Sequence, residues 1–241
     1  FLVPTAFIRA ISPCSFAMKE RSVRSVTSIM ITITSPRVRY LMASIASPTP
    51  VILATNSNDF LNPMDITYSD QTKEEALKLK SDFLITLCEV IAGGSKGLEN
   101  DEKGIIDACI RQIYEMYFLH PVPENMPILE DLYDALVDYS HPKAERIANS
   151  LILYVKGSQN YFNHRTNVDI NNRIVCFDIK DLGNQLKQLG MLIVQDAVWN
   201  RVSQNRERKV ATRYYCDEVH LLLRERQTAQ YLVEMWKRFR K

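Results

Sequence analysis

Two adjacent carboxylates, Asp217 and Glu218, close the apolar run Tyr214-Tyr215-Cys216. Two acids at the end of a buried strand are the minimum for a divided task on a nucleoside triphosphate. One supports the Mg²⁺ that bridges the β- and γ-phosphates, and its neighbour orients the attacking water. Taken alone the pattern is weak, because any strand can finish with Asp-Glu in solvent. The extension Val219-His220-Leu221-Leu222-Leu223 sharpens it: apolar bulk directly behind the acids is expected to hold them against a packed wall. His220 in that setting reads as structural rather than catalytic.

The elements around the pair are those of an α/β protein. Arg173 to Asp178 and Thr212 to Asp217 are short β-branched and aromatic runs, as expected of buried strands. Between them the spacing of Leu186, Leu189, Ile193, Ala197 and Val198 predicts a helix from about residue 184 to 206, and a further helix is expected over 227–240. Strand, crossover helix, strand is the unit of a parallel sheet, whose ligands bind beyond the carboxyl ends of its strands. Asp217 and Glu218 fall at that place.

Upstream the period is helical. Phe83, Leu84, Leu87, Val90 and Ile91 share one face, and Gly93-Gly94 stops that helix. Ile105, Ile106, Cys109, Ile113 and Tyr117 mark a second helix. A third is expected from Pro127 at a first helical position, through Leu129, Leu132, Leu136 and Val137. Ile147, Leu151, Ile152 and Val155 mark a fourth, ending near Gly157. Four amphipathic helices with short joints make a compact all-α subdomain, and core packing accounts for the aromatic and Met residues on their faces.

The chain has 241 residues, 46% hydrophobic and 24% charged, enough for one large domain or two small ones. No run approaches the roughly 20 apolar residues that span a bilayer, so any membrane role is expected to be peripheral. The five cysteines, Cys14, Cys88, Cys109, Cys176 and Cys216, are widely spaced with no CxxC pair, which argues against a disulfide framework or zinc site and for a reducing cytoplasmic compartment. The net charge of +2 hides a polarity: +5 over residues 1–58, −9 over 59–200 and +6 over 201–241. A solvated helix face is the commoner explanation of a basic end, and nucleic acid or an acidic partner the other.

Residues 1–53 read differently from the rest. They are Ser/Thr-rich, carry one acid (Glu20), are interrupted by Pro4, Pro13, Pro36, Pro48 and Pro50, and show no sustained period. No glycine precedes Gly93. The expectation is an aberrant or disordered segment, of the kind a shifted reading frame produces, on a chain that is a fragment.

Several strings together resemble one family. Asp217-Glu218-Val219-His220-Leu221-Leu222-Leu223 resembles the Walker B segment of the conjugation ATPases of type IV secretion systems (TraC/TraE-like), members of the HerA/FtsK-like P-loop motors. Glu234 to Lys241 is similar to the segment that follows in versions from Gram-positive conjugative elements. Asn62-Pro63-Met64-Asp65 resembles their NPMD motif. Gly157-Ser158 to Phe162, Thr166-Asn167-Val168-Asp169 and Phe177-Asp178-Ile179 resemble the stretch joining a helical insertion to the core sheet. The matches run in the family's order over about residues 56–241.

The resemblance implies a RecA-like P-loop NTPase core, with its parallel sheet incomplete, and an all-α helical insertion subdomain. Its domains are residues 1–53 in place of the Walker A region, 54–71 as a core segment with the NPMD motif, 72–165 as the insertion, and 166–241 as the αβ core with Walker B. It implies ATP and Mg²⁺ as ligands, Asp217 as the metal-supporting acid and Glu218 as the catalytic one. It also implies a dimer or hexamer of like subunits at the cytoplasmic face of a secretion channel, energising the passage of DNA with its relaxase.

One departure governs the expected activity. A Walker A loop needs glycines, a Lys and a Ser/Thr to wrap and neutralise the phosphates. Ser12 to Lys19 resembles the family's loop-to-helix passage, but Pro13 stands where glycine belongs and Cys14 where lysine belongs. No cofactor-binding residue is therefore assigned, Ser15 included, and the chain is expected to be inactive as an ATP hydrolase. The alternatives are a catalytically dead structural subunit of the same machinery and a related DNA-translocating pump. Arg206, Arg208 and Arg213 are equal candidates for a trans-acting arginine.

Overall fold

The structure, a computed structural model, describes residues 7–10, 27–33, 49–54, 57–67, 72–94, 96–216, 219–223 and 226–239. The chain divides into two compact units, Phe60–Asn167 and the combination of Phe1–Asp59 with Val168–Lys241.

Among the described residues the second of these is built on five strands: β1 (Phe7–Ala10), β2 (Thr27–Ile33), β3 (Thr49–Ile52), β4 (Ile174–Asp178) and β5 (Ala211–Cys216). They form one sheet in the order β1-β5-β2-β4-β3, and every pairing is parallel. Between β4 and β5 runs α5 (Asn184–Glu207), and α6 (Arg226–Phe239) follows β5. The strand-helix-strand expectation over residues 173–217 is thus met by β4, α5 and β5, with β2 seated between the two strands. All five residues of β4 are buried, as in a strand covered on both faces. In β5, Thr212, Tyr214 and Cys216 are buried and alternate with half-buried neighbours. Helix α5 is buried without interruption from Leu189 to Trp199, which makes it a core helix rather than a surface amphipath.

Three of the strands fall inside residues 1–53, the segment whose composition suggests it lies outside the fold. Its prolines mask this. Pro50 lies in β3, which bonds only β4 and so forms an edge of the described sheet, where a missing N–H interrupts no ladder. Thr27–Ile33, rich in β-branched residues, takes the interior position between β4 and β5.

The Phe60–Asn167 unit is all-helical: α1 (Lys73–Ala92), α2 (Asn100–Leu119), α3 (Leu129–Asp138) and α4 (Pro142–Val155). Thr72 and Glu75 form a capping box at the start of α1, each side chain accepting the other's backbone N–H at 3.2 Å. Gly157 is required after α4, because a Cβ there would meet the Leu153 carbonyl oxygen at 2.7 Å. The core is the expected one, with Phe83, Leu84, Leu87, Ile106, Leu132, Leu136, Ile147 and Leu151 fully buried. Cys88 and Cys109 belong to it. Burial, with some help from Cys109, pushes the Cys88 thiol up to about 12, so it packs as a small apolar group. Helix α3 begins at Leu129, two residues later than the Pro127 start the sequence suggests. The Pro127 carbonyl accepts a bond from Asn62, and the Asp131 carboxylate fixes the start instead by accepting the Ile128 N–H at 2.7 Å.

A charged knot joins the helix ends. Glu102 on α2 is 5% exposed and paired with Arg146 on α4, whose Nη1 also donates to the Ala92 carbonyl at 3.0 Å. Burial works to raise the Glu102 carboxyl, but the Glu99 N–H and Arg146 outweigh it and hold it below the ordinary range. For Asp107, burial is outweighed in the same way by the Ser81 hydroxyl and Arg111. A carboxyl lowered on folding contributes stability above its ordinary value and loses it as pH falls through the folded one. The helical unit is therefore expected to lose stability as pH drops below about 4.5, the ordinary value for Glu102. Arg146→Ala should flatten that acid limb and cost about 2 kcal/mol at neutral pH, a figure reduced for the half-exposed arginine. Urea unfolding across a pH series reads both effects, and an unchanged acid limb in the variant would discard this assignment.

Candidate functional site

The carboxyl ends of the strands finish at one level. Cys216 pairs with Thr32 and Ala10, while Asp178 pairs with Ile33 and Ile52, so β4 and β5 end together on either side of β2. Asp217 and Glu218 follow Cys216 directly in sequence and lie outside the described residues. The strand that leads to them is firmly held. Gln195, fully buried on α5, donates from Nε2 to the Tyr214 hydroxyl and approaches Cys216 Sγ at 3.7 Å. Lower on the same pair of elements, Asn205 donates to the Thr212 hydroxyl at 2.9 Å.

The apolar segment behind the acids forms a single turn, Val219–Leu223. Leu222 is 1% exposed, whereas Leu223 is 52% exposed. His220 is exposed on that turn.

Sequence reasoning overlooked Asp178. It ends β4, is 5% exposed, and accepts the Lys180 N–H on Oδ1 at 3.1 Å while its carbonyl accepts the Leu53 N–H at 2.8 Å. The signal was present, since Ile174 to Asp178 is the same grammar of an apolar run closed by an acid. Asp178 thus brings a buried carboxylate to the edge where the motif places the other two.

The three arginines separate by place. Arg206 ends α5 and Arg208 caps it, so both precede β5 at the amino end of the sheet. Six residues of strand, about 20 Å, stand between them and Cys216. Arg213 lies within β5 on the half-buried face shared with Tyr215, opposite Tyr214 and Cys216.

The NPMD segment, Asn62 to Asp65, lies in the Phe60–Asn167 unit, although the sequence assigns residues 54–71 to the core. Asn62 is 3% exposed, donates to the Pro127 carbonyl at 2.8 Å and accepts the Met64 N–H at 3.0 Å. The Thr166 hydroxyl donates to Asp65 Oδ2 at 2.6 Å and accepts the Asn62 N–H at 2.8 Å. Buried Lys80 donates to the Pro63 carbonyl, and the Tyr114 hydroxyl to that of Met64. The motif is a structural clasp with its polar groups turned inward.

Ser12 to Lys19, with Cys14 and Ser15, lie outside the described residues. Acids at the carboxyl edge suit a divalent cation, but a triphosphate needs a glycine-rich cradle, and no glycine precedes Gly93. Among the described residues no group of three or more His, Cys, Asp or Glu stands together to hold a metal ion. Among the described residues no helix is long and apolar enough to cross a membrane.

No family profile matches the sequence, and no curated protein is similar to it. Among solved structures the chain is similar to VirB4 of Thermoanaerobacter pseudethanolicus, with a TM-score of 0.73 and 16% identity, covering 92% of this chain and 85% of that one. At that identity the likeness establishes a shared fold. The chain is a helix-rich α/β protein with a short parallel sheet, folded like VirB4.

Proposed function

We propose that the chain is a fragment of a type IV secretion ATPase of the conjugative kind, with a RecA-like sheet, a helical insertion and a Walker B pair, in which the phosphate-binding loop is lost. What supports this reading is the all-parallel sheet with the fold of VirB4, together with the sequence position of the acidic pair, next after the last residue of β5. Asp217 would support Mg²⁺ and Glu218 would orient water in a complete site. The wider role follows from the family: like subunits assembled at the cytoplasmic face of the membrane, with channel components and a DNA–relaxase substrate as partners.

The missing glycines favour a second, related reading, a pseudo-ATPase that keeps the subunit surface without turnover. Both readings predict that the purified chain with ATP and Mg²⁺ shows phosphate release at background. Turnover that disappears in Glu218→Gln would overturn the lost-loop account. They part at the gene: the fragment reading expects a GxxGxGKS-like string in another frame of the DNA upstream of Ala54. Its absence from all frames favours the pseudo-enzyme.

A further inference from the structure

Helix α6 has its apolar side occupied. Thr228, Leu232 and Met235, at helical spacing, are buried. The Thr228 hydroxyl donates to the Leu222 carbonyl at 2.6 Å, and the Tyr231 hydroxyl to Asp196 on α5 at 3.5 Å. A different stripe runs through Arg226, Ala229, Val233, Trp236 and Lys237 and contains no acid. Trp236 is 37% exposed and Val233 46%. Glu234, the acid of this helix, is paired with Lys237 at 2.6 Å. Residues 226–241 carry five Lys/Arg against that one acid.

A partly exposed indole on a stripe that also carries Arg226 and Lys237 is a platform on which a flat base can stack while phosphates meet the charges. We propose that this stripe binds single-stranded nucleic acid, with bases on Trp236 and phosphates against Arg226 and against Lys237, which exchanges its Glu234 partner for phosphate. A lipid surface fits less well. An interfacial helix inserts a broad apolar face, and α6 has already buried its own in its unit, leaving Val233 and Trp236. The assignment deepens the DNA-transfer reading and rests on it for the source of the strand, but binding itself needs no nucleotide.

The test is anisotropy of a fluorescein-labelled oligothymidylate titrated with the whole chain at low and moderate salt. The parent is expected to bind with an affinity that falls as salt rises. Trp236→Ala should weaken it about tenfold or more, while Trp236→Phe keeps most of it. The Arg226→Ala/Lys237→Ala pair should reduce the salt slope by about 1.4. In Trp199→Phe, which removes the buried indole of α5, the remaining fluorescence of Trp236 should be quenched by the oligonucleotide. Unchanged binding in Trp236→Ala, or binding to anionic phospholipid vesicles but not to the oligonucleotide, would overturn the proposal. A failure of the ATPase reading appears in phosphate release and leaves this measurement untouched.

Discussion

Asn62→Ala is expected to destabilise the helical unit by about 4 kcal/mol, since it strands two buried backbone groups at about 1–3 kcal/mol each and opens a small void. Those groups are the Pro127 carbonyl and the Met64 N–H, both bonded to the Asn62 side chain. Helical circular dichroism followed through urea reads the loss. Asn149→Ala, on the exposed side of α4, should stay within about 0.5 kcal/mol of the parent. If the two variants unfold at similar urea concentrations, the clasp is not what holds this unit together. Thr166→Val should behave as a milder copy, because it removes the donor to Asp65 and the acceptor of the Asn62 N–H.

The second large effect concerns the contact behind the acidic pair. Gln195→Ala should cost about 3–5 kcal/mol, combining a cavity in the buried Leu189 to Trp199 stretch of α5 and the loss of the donor to Tyr214. Gln195→Leu keeps the volume and removes only the polarity, so its cost should be nearer 1–3 kcal/mol. Joining it to Tyr214→Phe removes both partners, and the double variant should be more stable than the two single losses add up to. A coupling of about 1 kcal/mol or more would establish the contact, and strict additivity would discard it. The same variants bear on the site, because Tyr214 and Cys216 lead into Asp217.

The parts of the fold that were legible in the sequence are those where periodicity and burial agree. Phe83, Leu84 and Leu87 or Ile147 and Leu151 announce helices that bury one face, and Ile174 to Asp178 announces a strand buried on both. Their ends fell within a residue or two, and the two-residue delay from Pro127 to Leu129 goes with a distant partner, Asn62, which draws off the Pro127 carbonyl. The strands of residues 1–53 were hidden because prolines and hydroxyl residues carry no period, and an edge position tolerates what a central one does not. Of the carboxyl edge, the strand that leads to the acidic pair was legible, since Thr212, Tyr214 and Cys216 form a buried face. That the NPMD segment serves packing was not legible. Asn62 and Thr166 are far apart in sequence, and no local pattern reveals that one bonds the other.

Phe60 and Asn167 hold each other directly: the Phe60 N–H donates to Asn167 Oδ1 at 2.7 Å, and the Asn167 N–H to the Phe60 carbonyl at 3.3 Å. The ingoing and outgoing chains of the helical unit therefore meet at a closed neck. A neck of this kind makes a module portable, because loop-closure entropy rises only with the logarithm of the length enclosed. What lies beyond it can lengthen, shorten or be exchanged between relatives while the strands on either side keep their register.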